Sequence, residues 1–145
     1  MPKFAGSNKG MNEIAIRYTF RKAEKLCSQK LIDELFAKGK SLFFGQFRLV
    51  YLEMQAFGKP PLKVLMAVPK KNLRHAVCRN RMKRLMRESY RMNKQKVEAY
   101  FDQSGKNCSL AIVFMGKEVI GQAQTNAAII QLLMRLIKTH EKTSG

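Results

Sequence analysis

Between residues 74 and 94 the chain reads RHAVCRNRMKRLMRESYRMNK, with eight Lys/Arg side chains and one acid, Glu88. Guanidinium and ammonium groups at this density are suited above all to holding phosphate. Arginine forks pair two phosphate oxygens at once, and lysine adds a mobile point charge. At about 100° per residue, Arg79, Lys83 and Arg87 fall one above another, with Asn80, Arg84 and Arg91 beside them. Cys78, Met82, Leu85, Ser89 and Met92 fall on the other side, flanked by Met86. One helix can therefore bury an apolar stripe and present a cationic row. A solvated charged face is the ordinary explanation of a charge run. Such faces interleave both signs, because like charges one turn apart destabilise a helix by roughly 0.2–0.5 kcal/mol per pair. Here Glu88 can orient Arg84 and Arg91 but cannot neutralise the row.

Residues 70–94 hold ten Lys/Arg and one Glu, half of the net charge of +18. Lys70 and Lys71 sit where a strand passes into this helix, and the N–H groups of a helix N-terminus would add to an anion site. Over all 145 residues, 28 Lys/Arg face 10 Asp/Glu, so a polyanionic partner is expected to relieve the self-repulsion. Nucleic acid is the first candidate and an anionic membrane surface the second. No apolar run approaches the length of a membrane span, and the N-terminus lacks the apolar core of a signal peptide. Cys27, Cys78 and Cys108 are odd in number and widely spaced, which argues against a disulfide framework or zinc site. A cytoplasmic polyanion binder without a membrane partner is the class expected.

The elements that must position the basic helix can be read outward from it. Residues 1–16 read as a mobile arm, 17–140 as one RNA-binding domain and 141–145 as a C-terminal tail. CSQKLIDELFAKGKS predicts a short helix capped by Ser28, stopped by Gly39 and apolar at Leu31, Ile32, Leu35 and Phe36. SLFFGQFRLVYLEM predicts two short strands, or one bulged strand, around Gly45. AFGKPP is a turn, and LKVLMAVPKK a buried strand ended by Pro69. The basic helix spans His75 to Tyr100, NCSLAIVFM is a central strand, and TNAAIIQLLMRLIKTHEK closes the chain as a helix. The order αβββαβα predicts an α+β sandwich, with a parallel strand pair around the basic helix.

A protein nuclease needs clustered carboxylates for metal, or acid–base partners. The ten acids are scattered, His75 and His140 are far apart, and His140 falls in an expected frayed end. No catalytic group, metal site or organic cofactor is therefore expected in the protein itself. Cys78 reads as a small core residue, Arg81 as flanking the apolar stripe, and Tyr90 as partly buried or available to stack on a base.

RNRMKRLMRESYR resembles the RNR motif of the bacterial ribonuclease P protein subunit family, RNR-x-KR-x-x-R-[EQ]. LIDELFAKGKS resembles the family's short helix, and VPKKNLRHAV its V-S-K-K segment before the basic helix; the resemblance spans about residues 18–138. Three positions depart. Pro69 stands where serine is frequent, His75 near a frequent glycine, and Ile32 where some members have phenylalanine. The resemblance implies a ribosomal-protein-like α+β fold with a left-handed βαβ crossover. It also implies a subunit of the ribonucleoprotein that removes 5′ leaders from precursor tRNA. The family's partners are the ribonuclease P RNA, which holds the catalytic Mg²⁺ ions and carries out hydrolysis, and the precursor tRNA. On this sequence the implied RNA contacts are Lys70, Lys71, Arg79, Asn80, Arg81, Lys83, Arg84, Arg87 and Arg91. Phe36 matches a leader-cleft aromatic and Phe47 is a further candidate, with core packing the alternative for both. A general structured-RNA-binding protein with no role in tRNA maturation is the alternative function.

Overall fold

The computed structural model describes residues 25–26, 28–54 and 61–144. The expected arm, Cys27 and most of the Gly/Pro turn lie outside them. Helix α1 (Gln29–Lys38) opens at Ser28, whose hydroxyl accepts from the Leu31 amide at 3.4 Å, and closes with the Gly39 N–H on the Leu35 carbonyl. Strands β1 (Lys40–Phe44) and β2 (Phe47–Met54) form a hairpin rather than one bulged strand. Gly45 supplies the turn, at a φ of 58° that a side chain would oppose. Strands β3 (Leu62–Ala67) and β4 (Asn107–Phe114) run parallel, and the sheet order is β1-β2-β4-β3. β4 is buried at every position, which is why Leu110 to Phe114 is an unbroken apolar run; Asn107 and Ser109 are its buried polar residues.

One face of the sheet packs on the long helices. Phe47, Leu49, Leu110, Ile112 and Phe114 share a core with Met82, Met86, Tyr90, Ile129, Leu132 and Leu136. On the opposite face α1 covers Val50 and Ala111 with Leu35, beside Leu26. The sheet therefore lies between α1 and the helix layer that carries the charge.

The expected single helix from His75 to Tyr100 is two, α2 (Ala76–Asn93) and α3 (Gln95–Ser104), divided at the buried Lys94. The Asn93 amide donates to the Ser89 carbonyl at 2.8 Å, competing with the backbone for an i−4 acceptor at the break. Helix α4 (Gln122–Ser144) packs on α2 and continues beyond residue 140, so 141–144 are helical rather than a tail. His140 is not frayed. It is 4% exposed, with Nδ1 2.7 Å from the Tyr100 hydroxyl and Nε2 2.8 Å from Glu53 Oε1. With Nε2–H donating to Glu53 and Nδ1 accepting from Tyr100, one imidazole ties α4 to α3 and β2. Among the described residues no helix is long and apolar enough to cross a membrane.

Candidate nucleic-acid interface

Helix α2 buries Met82, Met86, Ser89 and Tyr90, with Cys78, Leu85 and Asn93 half-buried. This arc is turned by roughly 50° from the stripe that apolar spacing suggests, half a residue step at about 100° per residue. Three consequences follow for the side chains. Met92 is 49% exposed, Arg81 is exposed instead of flanking the core, and Tyr90 is wholly buried and offers no stacking face. Polar contacts with α4 set the rotation. Gln122 Nε2 donates to the buried Ser89 Oγ at 2.8 Å, and Asn93 Nδ2 to Asn126 Oδ1 at 2.7 Å. Buried polar pairs of this kind accept only one rotation of the helix.

The turned helix presents Asn80, Arg81 and Arg84 outermost, with Lys83, Arg87 and Arg91 half-buried along the flank. Arg91 is hydrogen-bonded to Glu88, the one acid of the face. Lys70 and Lys71 are exposed in the turn after Pro69, whose carbonyl accepts from the Asn72 and Leu73 amides. The N-terminal turn of α2 has no acidic residue and no side-chain cap from His75, so its positive helix end is uncompensated. Arg79 differs from the rest. Its Nη1 donates to the Leu73 carbonyl at 2.9 Å and the Arg74 carbonyl at 2.7 Å, so this guanidinium fastens the turn to the helix. Among the described residues no group of three or more His, Cys, Asp or Glu could hold a metal ion.

The expected aromatics separate cleanly. Phe36 on α1 is 41% exposed. Phe47 is fully buried against Phe114, with ring centroids 5.2 Å apart, so it is core and presents no surface to a ligand. Strand pairing opposes Phe44 to Phe47 and Phe43 to Arg48. The second pair lies on the α1 side of the sheet, where Phe43 is 55% exposed and the Arg48 guanidinium sits 6.0 Å from its ring centroid. Arg48 is held there by hydrogen bonds from Nε and Nη2 to Ser41 Oγ at 3.1 and 3.0 Å. Sequence reasoning missed Phe43 and Arg48. The signal was the FF pair itself, since neighbours in a strand point to opposite faces and one of two must leave the core. Burial pushes the Cys108 thiol up to about 12, whereas Cys78 is half-buried and packs against the edge of the core.

A family model described as Ribonuclease P matches residues 20–141, most of the chain. The chain belongs to the ribonuclease P protein family. It is 41% identical over 106 residues to the ribonuclease P protein component of Chlorobium phaeobacteroides, covering 68% of this chain and 73% of that relative. The Porphyromonas gingivalis ribonuclease P protein component is 30% identical over 115 residues, covering 79% and 84%. In fold the chain is similar to the ribonuclease P protein of Staphylococcus aureus, with a TM-score of 0.61 at 18% identity, covering 81% of this chain and 97% of that one. The protein from Thermotoga maritima gives a TM-score of 0.61 at 23% identity, covering 77% and 96%. The α+β expectation and the family resemblance of the basic helix both agree with these matches. As a family member the chain is a ribonuclease P protein component, a subunit in tRNA processing.

Proposed function

We propose that this chain serves its ribonucleoprotein by gripping RNA while the RNA subunit, with its Mg²⁺ ions, performs the hydrolysis. The outer face of α2, with Lys70 and Lys71 at its head, meets the ribonuclease P RNA. The α1 side of the sheet, with Phe36, Phe43 and Arg48, takes the single-stranded 5′ leader of precursor tRNA. Aromatic faces beside a guanidinium suit unpaired bases, since every base stacks and every linkage carries a phosphate. By neutralising phosphate on two RNAs at once, the protein raises substrate affinity and lowers the magnesium needed to hold them together. This places its work in the cytoplasm, where precursor tRNA is matured.

The observation that carries the reading is the uncompensated cationic face of α2, with Arg81 and Arg84 exposed, Lys83 and Arg87 along its flank, and Glu88 its one acid. The test is cleavage of a precursor tRNA by a bacterial ribonuclease P RNA at low magnesium, with and without the protein. Strong stimulation, with no cleavage by the protein alone, is expected. A leader-length series adds the second half: affinity should rise over the first few leader nucleotides and then level off. RNA binding without stimulation, and without dependence on the leader, would instead make the chain a general structured-RNA binder.

A further inference from the structure

The turn between β3 and α2 and the loop between β4 and α4 face each other across an open hollow of about 600 Å³. That volume falls within the roughly 300–1,000 Å³ of sites that hold small organic ligands. Lys71, Arg74 and His75 stand on one wall and Lys117 on the other, above a surface that includes Cys78 and the half-buried Val119. We propose that this hollow receives a single unpaired nucleotide of the partner RNA. The inference rests on the RNA-binding reading above. It extends the interface to a loop outside the basic helix and to a ligand different in kind from a row of helical phosphates.

Both walls are fixed before any ligand arrives. Asn72 donates from Nδ2 to the Phe114 carbonyl at 3.3 Å and accepts Lys117 Nζ on Oδ1 at 3.2 Å, bridging the two sides. Arg79 holds the Leu73 and Arg74 carbonyls, so the first wall is tied to α2. The second wall is pressed onto the hairpin turn. The Met115 amide donates to the Gln46 carbonyl at 2.7 Å, and a Cβ on the buried Gly116 would collide with the Gln46 side chain and the Phe114 ring. Walls tied in this way lose little freedom on binding.

The lining matches the parts of a ribonucleotide. Lys71, Arg74 and Lys117 can surround a phosphate, and the uncapped N-terminus of α2 adds to the same field. Val119, Cys78 and the His75 ring offer apolar and aromatic surface to a base or a sugar face. Glu118, the one acid on the rim, would repel a bare phosphate but can accept from a ribose hydroxyl. Duplex phosphates need a charged surface and have no use for a hollow. A nucleotide turned out of its stack uses both.

Cys78 is a built-in probe, because it lines the hollow while Cys108 is fully buried with its thiol pushed up to about 12. In a Cys27→Ser background, iodoacetamide labelling of Cys78 should slow at least tenfold when the protein is bound to ribonuclease P RNA. Val119→Trp adds bulk at a half-buried position that packs on the core edge and lines the hollow, and should weaken that RNA at least fivefold at a temperature where a thermal melt shows the variant folded. Lys117→Ala, at an exposed side chain, should reduce the salt slope of binding by about 0.7, the value for a phosphate in a single strand. Equal labelling of Cys78 in free and bound protein, or full affinity in both variants, would overturn the proposal. Protection of Cys78 with unchanged Val119→Trp affinity also overturns it, since RNA then lies across the opening without entering. If the wild-type complex still stimulates cleavage while these results fail, only the hollow is lost. If the wild-type chain neither binds nor stimulates the RNA, the subunit reading falls with it.

Discussion

Arg79 opens the Arg-Asn-Arg triplet, yet its guanidinium is occupied by two backbone carbonyls, and Arg79→Ala distinguishes that structural duty from RNA contact. Leu73, which supplies one carbonyl, is 5% exposed, so water does not readily replace the lost donor. Hydrogen bonds from a charged group contribute roughly 1.5–3 kcal/mol each. Allowing for solvent screening of a half-exposed guanidinium, the pair together contributes about 2 kcal/mol. For a domain of this size that lowers Tm by roughly 6–8 °C. Arg84, exposed on the same helix, is the control: Arg84→Ala should leave Tm within about 1 °C. The assay pairs a thermal melt with titration of ribonuclease P RNA across a potassium chloride series. Arg84→Ala should flatten the salt slope by about 0.9 for a lost phosphate contact. Arg79→Ala should melt early and change the slope by much less. An unchanged Tm with a full-unit loss of slope for Arg79→Ala would refute the reasoning, because the guanidinium would then be spending its charge on RNA.

The three phenylalanines give a second contrast. Phe47→Ala should destabilise by about 3–5 kcal/mol, whereas Phe36→Ala and Phe43→Ala should change chemical denaturation little and weaken only precursor tRNA that carries a leader. His140→Ala removes the joint between Tyr100 and Glu53, and should lower stability by about 1–3 kcal/mol and speed amide exchange in the last turns of α4, read by mass spectrometry. Cys108 gives a pH signature, since its thiol rises from 9.0 to about 12 on folding. Above pH 9 the unfolded chain gives up this proton and the folded one keeps it, so stability falls as pH rises by up to about 1.4 kcal/mol per unit. Denaturation at pH 8 to 10.5 should show that extra slope in the wild type and not in Cys108→Val.

What the sequence made legible depended on local chemistry. Ser28 and Gly39 bound a helix because a hydroxyl and a missing Cβ act within a few residues. The β4 run declared a central strand because every side chain on it had to be buried. The cationic row was legible because charge is composition, and α2 turns it outward whichever rotation it takes within some 50°. The rest lay in long-range partners. Hydrophobic spacing gives the period of α2 but not its phase, which Gln122 and Asn126 fix from 33 residues away. The role of Arg79 was hidden because its acceptors are carbonyls, which every residue has. His140 looked frayed because Glu53 lies 87 residues distant in the chain.

These long-range pins also explain how such a helix can be kept ready without its polyanion. A segment with ten cations and one acid gains nothing from its own surface, so its stability has to come from the inner face. Met82, Met86 and Tyr90, all fully buried, supply that burial, but apolar contacts alone tolerate rotation about the helix axis. Ser89 and Asn93 remove the tolerance, because a turned helix would strand buried polar groups. The outward arginines therefore start from a fixed bearing, and the tied turn ahead of them starts from a fixed shape. RNA meeting this surface need not order it first, so more of each phosphate contact appears as affinity. The same rigidity explains the division between arginines that look alike in sequence. Arg79 is committed to holding the frame, which leaves Arg81, Arg84 and Arg87 free to use it.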